Sequence, residues 1–234
     1  MSGSDQLIKT ICLQSNHKIV EKGLVIGTFG NASLREGEYC YIKPSGININ
    51  KCTENDISKV IIETSKSVEG KKPSTDTPTH LELYKEFPDI GGIVHTHSLY
   101  ATAWGQSGKP VPCLGTTHAD YWNGDIPVTR KMSDKEINGD YEKETGRVII
   151  EKLEELNVHP LECPGILVAS HGNFTWGKTI EEAVSNAEKL EFIAKLSYLS
   201  LSINPDISNI SKALLKKHFS RKHGQDAYYG QDLD

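Results

Sequence analysis

The strongest chemical signal in this chain is His95-Thr-His97. It closes the run Gly91-Gly-Ile-Val-His-Thr-His97, whose β-branched content predicts a strand. Residues two apart on a strand point to one face, so both imidazoles can converge on a single ion. Taken alone, such a pair is more often a hydrogen-bonded part of a core, and two further residues raise its weight. His171 stands directly after a second expected strand and before Gly172. Asp76 lies in a turn just before an expected helix, a placement that suits a metal ligand or a base and equally an N-cap. Cysteine is absent from the set, so three imidazoles and a carboxylate fit Zn²⁺ or a similar divalent ion.

A second constellation has the makings of an anion cradle. Gly30-Asn31, Lys43-Pro-Ser45-Gly46 and Lys72-Pro-Ser74-Thr75 each sit at a turn between elements. Exposed backbone N–H groups, hydroxyls and a lysine are what a phosphate needs, although Pro-Ser-Gly is also a common turn. Thr116-Thr-His-Ala-Asp120 is a polar run in which Asp120 is either an acid/base or a loop cap. Tyr228-Tyr229-Gly230 ends a polar tail without the spacing of a core element. Such aromatics need a surface to dock on, in a neighbouring subunit or in their own domain.

The elements that must position these groups follow from periodicity. Helical spacing of apolar residues covers 5–22. Gly-punctuated strand and turn follow over 23–33, a strand over Tyr39–Lys43, and a helix-start box at Thr53-x-x-Asp56 before the strand Val60–Ile62. Thr77–Phe87 reads as a helix with Pro78 at an early position. A helix over about Gly139–Leu156 precedes the strand Gly165–Ala169. Thr179-Ile-Glu-Glu182 is a capping box opening a helix with an apolar stripe. From Ser208 a short basic helix leads into the tail. Interleaved strands and helices without a strict βαβ repeat predict a layered α/β domain, and nothing marks a domain boundary within 1–234.

The 234 residues carry a net charge of -5, which argues against a nucleic-acid footprint. One basic cluster, Lys216, Lys217, Arg221 and Lys222, reads as a solvated helix face rather than a polyanion site. No apolar run reaches membrane-spanning length and the N-terminus has no signal pattern, so no membrane partner is expected. The 5 cysteines are scattered and form no CxxC pair, which predicts reduced thiols in the cytoplasm.

Taken in order, these motifs and the tail sequence Arg221-Lys-His-Gly-x-x-Ala-Tyr-Tyr-Gly-Gln231 resemble the class II (zinc) sugar-phosphate aldolase/epimerase family, over about Leu24–Gln231. The resemblance implies a three-layer α/β/α fold around a mainly antiparallel sheet. It implies a divalent ion (Zn²⁺, or Mn²⁺ or Co²⁺) on His95, His97 and His171 with Asp76 beside it. Phosphate would be held by Asn31, Lys43, Ser45, Gly46, Ser74 and Thr75. Asp120 and Tyr229 would be the two acid/bases, Tyr229 donated by an adjacent subunit. His218 and Arg221 match the family's C-terminal segment, which approaches the neighbour's site from about residue 208 onward. A cyclic homotetramer acting on a sugar phosphate is implied, with a 4-epimerase nearer than an aldolase, since aldolases of the family tend to carry Glu at the position of Asp76. Thr75 for Ser, Asn173 for Pro and Phe29 for Trp are departures that remove no group the reaction needs.

Overall fold

The strand that carries His95 lies inside a seven-stranded sheet of order β4-β3-β2-β1-β5-β7-β6. The structure, a computed structural model, describes residues 3–223 and Ala227. Its elements are α1 (Gly3–Glu21), β1 (Asn31–Glu36), β2 (Tyr39–Ile42), β3 (Ser58–Ile61), β4 (Ser67–Glu69), α2 (Thr77–Glu86), β5 (Gly92–Thr96) and α3 (Leu99–Ser107). They continue with α4 (Thr116–Ala119), α5 (Asp134–Ile137), α6 (Tyr141–Leu156), β6 (Gly165–Leu167), β7 (Asn173–Gly177), α7 (Ile180–Ile203) and α8 (Lys212–His223). Every neighbouring strand pair is antiparallel.

Alternation along the strands divides the core. Ile93 packs with Cys40, Ile42, Phe174 and Trp176 and with Leu81, Tyr84, Ile149 and Leu153 from α2 and α6. Val94, one residue on, packs with Ala32, Leu34 and Tyr41 and with Cys12, Ile19, Ala183 and Val184 from α1 and α7. Helices therefore cover both faces, the expected three-layer α/β/α arrangement. His95 shares the face of Ile93 by its pleat. The paired glycines before it let α7 press onto the strand: a Cβ at Gly92 would stand 2.3 Å from Ile180 Cα.

Several sequence expectations shift in detail. Strand structure begins only at Asn31, because 23–30 is turn and loop. The box at Thr53 is formed, with Thr53 N–H donating to Asp56 Oδ2 at 2.8 Å, yet it opens a single 3-10 turn rather than a helix. At α7 the box is offset: Thr179 Oγ1 accepts from Glu182 N–H, while the Glu182 carboxylate takes the N–H of Lys178 at 2.7 Å. β7 and α3 were not foreseen. The five residues of β7, Asn173-Phe-Thr-Trp-Gly177, alternate polar and apolar along the sequence, yet all five are buried. All five cysteines are free and buried.

Candidate metal centre and its anion cradle

The site is built on β5 and the turn that faces it. His97 lies one residue past the end of β5, and its Nε2 comes within 3.0 Å of His95 Nε2. His171 arrives from the tight turn after β6, closed by Val168 N–H to Gly172 O at 2.8 Å. One ligand nitrogen from each of His95, His97 and His171 lies within 4.8 Å of the others. Gly172 is needed for this convergence. A Cβ there would lie 2.6 Å from Thr96 O, 3.2 Å from His95 Cε1 and 3.4 Å from His97 Cδ2.

The donor set fits a divalent ion. Asn173 O accepts from His95 Nδ1 at 2.9 Å, which fixes the proton on Nδ1 and leaves the Nε2 lone pair for a ligand. Phe174 stacks on the same ring at 4.2 Å between centroids, so His95 has no rotamer freedom. Burial holds His95, His97 and His171 below the usual imidazole range, partly opposed by the charge of Asp76, so all three are neutral ligands at pH 7. His171 Nδ1 is buried and makes no hydrogen bond among the described residues. Nitrogens bound to a tetrahedral zinc ion lie roughly 3.4 Å apart, which compares with 3.0 Å between His95 Nε2 and His97 Nε2 and no more than 4.8 Å across the three.

Asp76 occupies the N-cap position of α2 but caps nothing with its side chain. Its Oδ2 instead accepts from Asn31 Nδ2 at 2.7 Å and lies 3.4 Å from Ser74 Oγ. Burial alone would raise its pKa; His95, His80 and the Asn31 bond outweigh that and hold the carboxyl below its ordinary value. Asp76 thus faces the triad as an anion, outside the group of three converging ligands.

The two Lys-Pro-Ser turns meet. Pro44 and Pro73 form an antiparallel bridge, with Ser45 N–H to Lys72 O at 3.0 Å and Ser74 N–H to Lys43 O at 3.1 Å. Asn31 pairs directly with His95 across β1 and β5, and its Nδ2 also reaches Ser74 Oγ at 3.2 Å. One amide therefore ties cradle to triad. Lys43 is buried, its ammonium near Thr28 O and Pro44 O at 3.4 Å, and burial lowers its pKa while Asp76 opposes. Gly46 adopts φ +67 with open space where a side chain would be, and Thr75 is exposed.

Asp120 is held elsewhere, by α8. Arg221 donates to both of its oxygens at 3.1 and 2.8 Å, His218 Nδ1 lies 3.0 Å away, and His223 Nε2 donates to its backbone carbonyl at 2.9 Å. Burial alone would raise its pKa; Arg221 and His218 outweigh that and keep the carboxyl below its ordinary value. The basic cluster is consequently not a solvated face throughout. Arg221 and Lys222 pair with Asp120, at 2.8 and 3.8 Å, and only Lys216 and Lys217 are exposed. Tyr228 and Tyr229 lie outside the described residues.

Two residues beside the triad, and one away from it, were not given a role from the sequence. Asn173 clamps the end of β5, its Nδ2 donating to Thr96 Oγ1 at 3.0 Å and Ser98 Oγ at 3.1 Å. Its only signal was the departure within the Gly-x-Phe stretch. Tyr141 places its ring 6.0 Å from His171, a long-range approach that spacing does not reveal. His118, in the polar run before Asp120, is buried against Trp122, and burial holds its pKa down to about 4 with Asp125 opposing. Because the unfolded chain takes up that proton near 6.5 and the folded chain does not, the stabilisation is complete above 6.5 and is lost toward pH 4. His118→Leu should flatten the pH slope of urea-unfolding stability by up to about 1.4 kcal/mol per pH unit in that window. Parallel slopes for the two proteins would contradict this.

Fold and site together define an α/β/α protein whose three converging histidines fit a divalent metal ion. The chain belongs to the family of the class II aldolase and adducin N-terminal domain, whose model matches residues 12–198. Among solved structures it is similar to an L-fuculose 1-phosphate aldolase, at 23% identity and TM-score 0.77, over 94% of this chain and 97% of that one. Escherichia coli YgbL, whose description leaves aldolase, epimerase and decarboxylase open, matches at 23% identity and TM-score 0.72 over 92% and 98%. The L-fuculose 1-phosphate aldolase of Glaciozyma antarctica PI12 matches at 19% identity and TM-score 0.75 over 97% and 86%. At these identities the likeness speaks to fold alone.

Proposed function

We propose that the protein is an L-ribulose-5-phosphate 4-epimerase, converting L-ribulose 5-phosphate and D-xylulose 5-phosphate into one another. The observation that supports it best is the Asn31 amide, which bonds Ser74 of the anion cradle and Asp76 of the metal centre at once. A short phosphorylated ketose spans that distance with its phosphate at Lys43, Ser45, Gly46, Ser74 and Thr75 and its carbonyl end at the triad. His95, His97 and His171 would hold the divalent ion, and when bound it supplies Lewis-acid stabilisation of negative charge on the ketose oxygens.

The hydrogen at C4 is not acidic, so inversion by direct deprotonation is unattractive. Cleavage of the C3–C4 bond avoids that step. A base removes the C4 hydroxyl proton, the carbonyl forms at C4, and the bonding pair stays on the C1–C3 fragment. The cradle keeps the phosphorylated aldehyde in place while it turns its other face. Re-addition then needs an acid on that side. Asp120 and Tyr229 are the two groups assigned, one to each face of the aldehyde.

L-fuculose 1-phosphate aldolase activity is the competing reading, favoured by the neighbours of like fold. Asp76 argues against it: the carboxylate is short and is drawn to Asn31 rather than reaching past the triad. Formation of D-xylulose 5-phosphate from L-ribulose 5-phosphate is expected, falling by at least about a hundredfold on chelation and returning with Zn²⁺, Mn²⁺ or Co²⁺. Release of dihydroxyacetone phosphate from L-fuculose 1-phosphate, with no D-xylulose 5-phosphate formed from L-ribulose 5-phosphate, would replace the epimerase by the aldolase. A cyclic homotetramer in the cytoplasm, with residues 208–234 closing a neighbour's site, completes the proposal. No described helix is long and apolar enough to cross a membrane.

A further inference from the structure

We infer that Glu191 is a positioning residue of the metal centre, holding α3 so that His97 and His171 come to His95. The inference rests on the reading of the three histidines as metal ligands. His95 is fixed inside the sheet, paired with Asn31 on one side and Phe174 on the other. The other two ligands stand outside the sheet, and each hangs on α3. His97 precedes the first residue of that helix, Leu99, by two positions. The turn that carries His171 is tied near the other end, where Ser170 N–H donates to Gly105 O at 3.0 Å. Ser170 has φ +62, a left-handed conformation that a residue other than glycine keeps only where its surroundings hold it. A Cβ at Gly105 would stand 3.0 Å from Val168 O, so helix and turn approach closely.

The start of α3 shows an exchange of partners. Ser98 has the extended backbone of an N-cap, φ -62 and ψ 144, yet its side chain caps nothing. Its Oγ accepts from Asn173 Nδ2 at 3.1 Å, and the same amide donates to Thr96 Oγ1 at 3.0 Å. Both chain neighbours of His97 are thereby fastened to β7. The N–H groups that Ser98 leaves open, those of Tyr100 and Ala101, donate to the two carboxylate oxygens of Glu191, each at 2.9 Å. A charged, two-pronged cap is stronger than the hydroxyl it replaces and complements the positive end of the helix. Glu191 is half-buried on α7, which also holds α3 through Trp104 Nε1–H to Ala194 O at 3.0 Å. Glu191 thus releases Ser98 to Asn173 and fixes the place of α3, and with it the segments that carry two of the three ligands.

Titration of the metal-stripped full chain with Co²⁺, followed by visible absorption, tests this, because band position and intensity report how the ligands are arranged around the ion. Wild type is expected to take up one Co²⁺ per chain. Glu191→Ala should bind it about ten- to a hundredfold more weakly and with a shifted spectrum. Glu191→Gln, which keeps one acceptor, should fall between the two and carries the test if the alanine variant does not fold. Asn186→Ala removes the hydrogen bond from Asn186 Nδ2 to Trp176 O elsewhere on α7 and should bind Co²⁺ as wild type does. Wild-type affinity and spectrum in the Glu191 variants, or equal weakening in Asn186→Ala, would overturn the inference. A wild-type chain that takes up no Co²⁺ would overturn the metal-centre reading itself, and the inference with it.

Discussion

Replacing His97 with alanine is expected to empty the metal centre and to lower turnover by about a thousandfold or more. His97 is the ligand to remove because it stands just past β5 and is only partly buried, so its loss disturbs little else. Its ring has the exposed Phe29 stacked at 5.8 Å as an aromatic neighbour from the loop before β1. His95 is a poorer probe. Truncating it would open a hole against Phe174 and strand the carbonyl of Asn173, costing about 2–5 kcal/mol of stability besides the metal. The His97→Ala protein should therefore melt near the metal-free wild type, and zinc should no longer raise its melting temperature. Metal analysis together with the epimerase assay checks both halves. Turnover retained in protein shown to be metal-free would detach the triad from the chemistry.

Much of this centre was legible in the chain because its signals are local. A strand with period two puts His95 and His97 on one side, and both flanking glycine features have close contacts behind them. The two Lys-Pro-Ser turns were legible as similar pieces, but their pairing through Pro44 and Pro73 was not. That bridge joins segments whose separation no periodicity encodes. Asp76 shows the limit more sharply. Its place before Pro78 suited a cap and a ligand equally, and only the position of Asn31 across the sheet decides that the side chain turns away from the helix. β7 escaped although Asn173-Phe-Thr-Trp176 alternates, because four residues between the glycines at 172 and 177 are too short a run for periodicity to separate a strand from a loop. The basic cluster misled for a related reason: charge spacing along α8 says which residues share a face, and not that Asp120 faces them.

That contact between α8 and Asp120 makes a specific claim about which chain completes which site. Through His218, Arg221 and His223, the helix is fastened to the Asp120 of its own chain. Tyr229 follows only a few residues after His223, within about 20 Å of extended chain. If Tyr229 accompanies the Asp120 of its own chain, both serve the same metal, that of a neighbour if the tail crosses. Tyr229→Phe and Asp120→Asn are each expected to cost about 10²–10⁴ in turnover with metal content intact. Mixing Tyr229→Phe with His97→Ala subunits should restore activity, because an intact tail on a metal-free chain can act on a metal-loaded neighbour. In a randomly mixed ring about a quarter of sites would be complete. Asp120→Asn mixed with His97→Ala should recover likewise, whereas Asp120→Asn mixed with Tyr229→Phe should not, since every donating chain then lacks one of the two groups. Recovery in that last mixture would separate Asp120 from Tyr229, and no recovery in any mixture, with subunit exchange verified, would mean that each chain closes its own site.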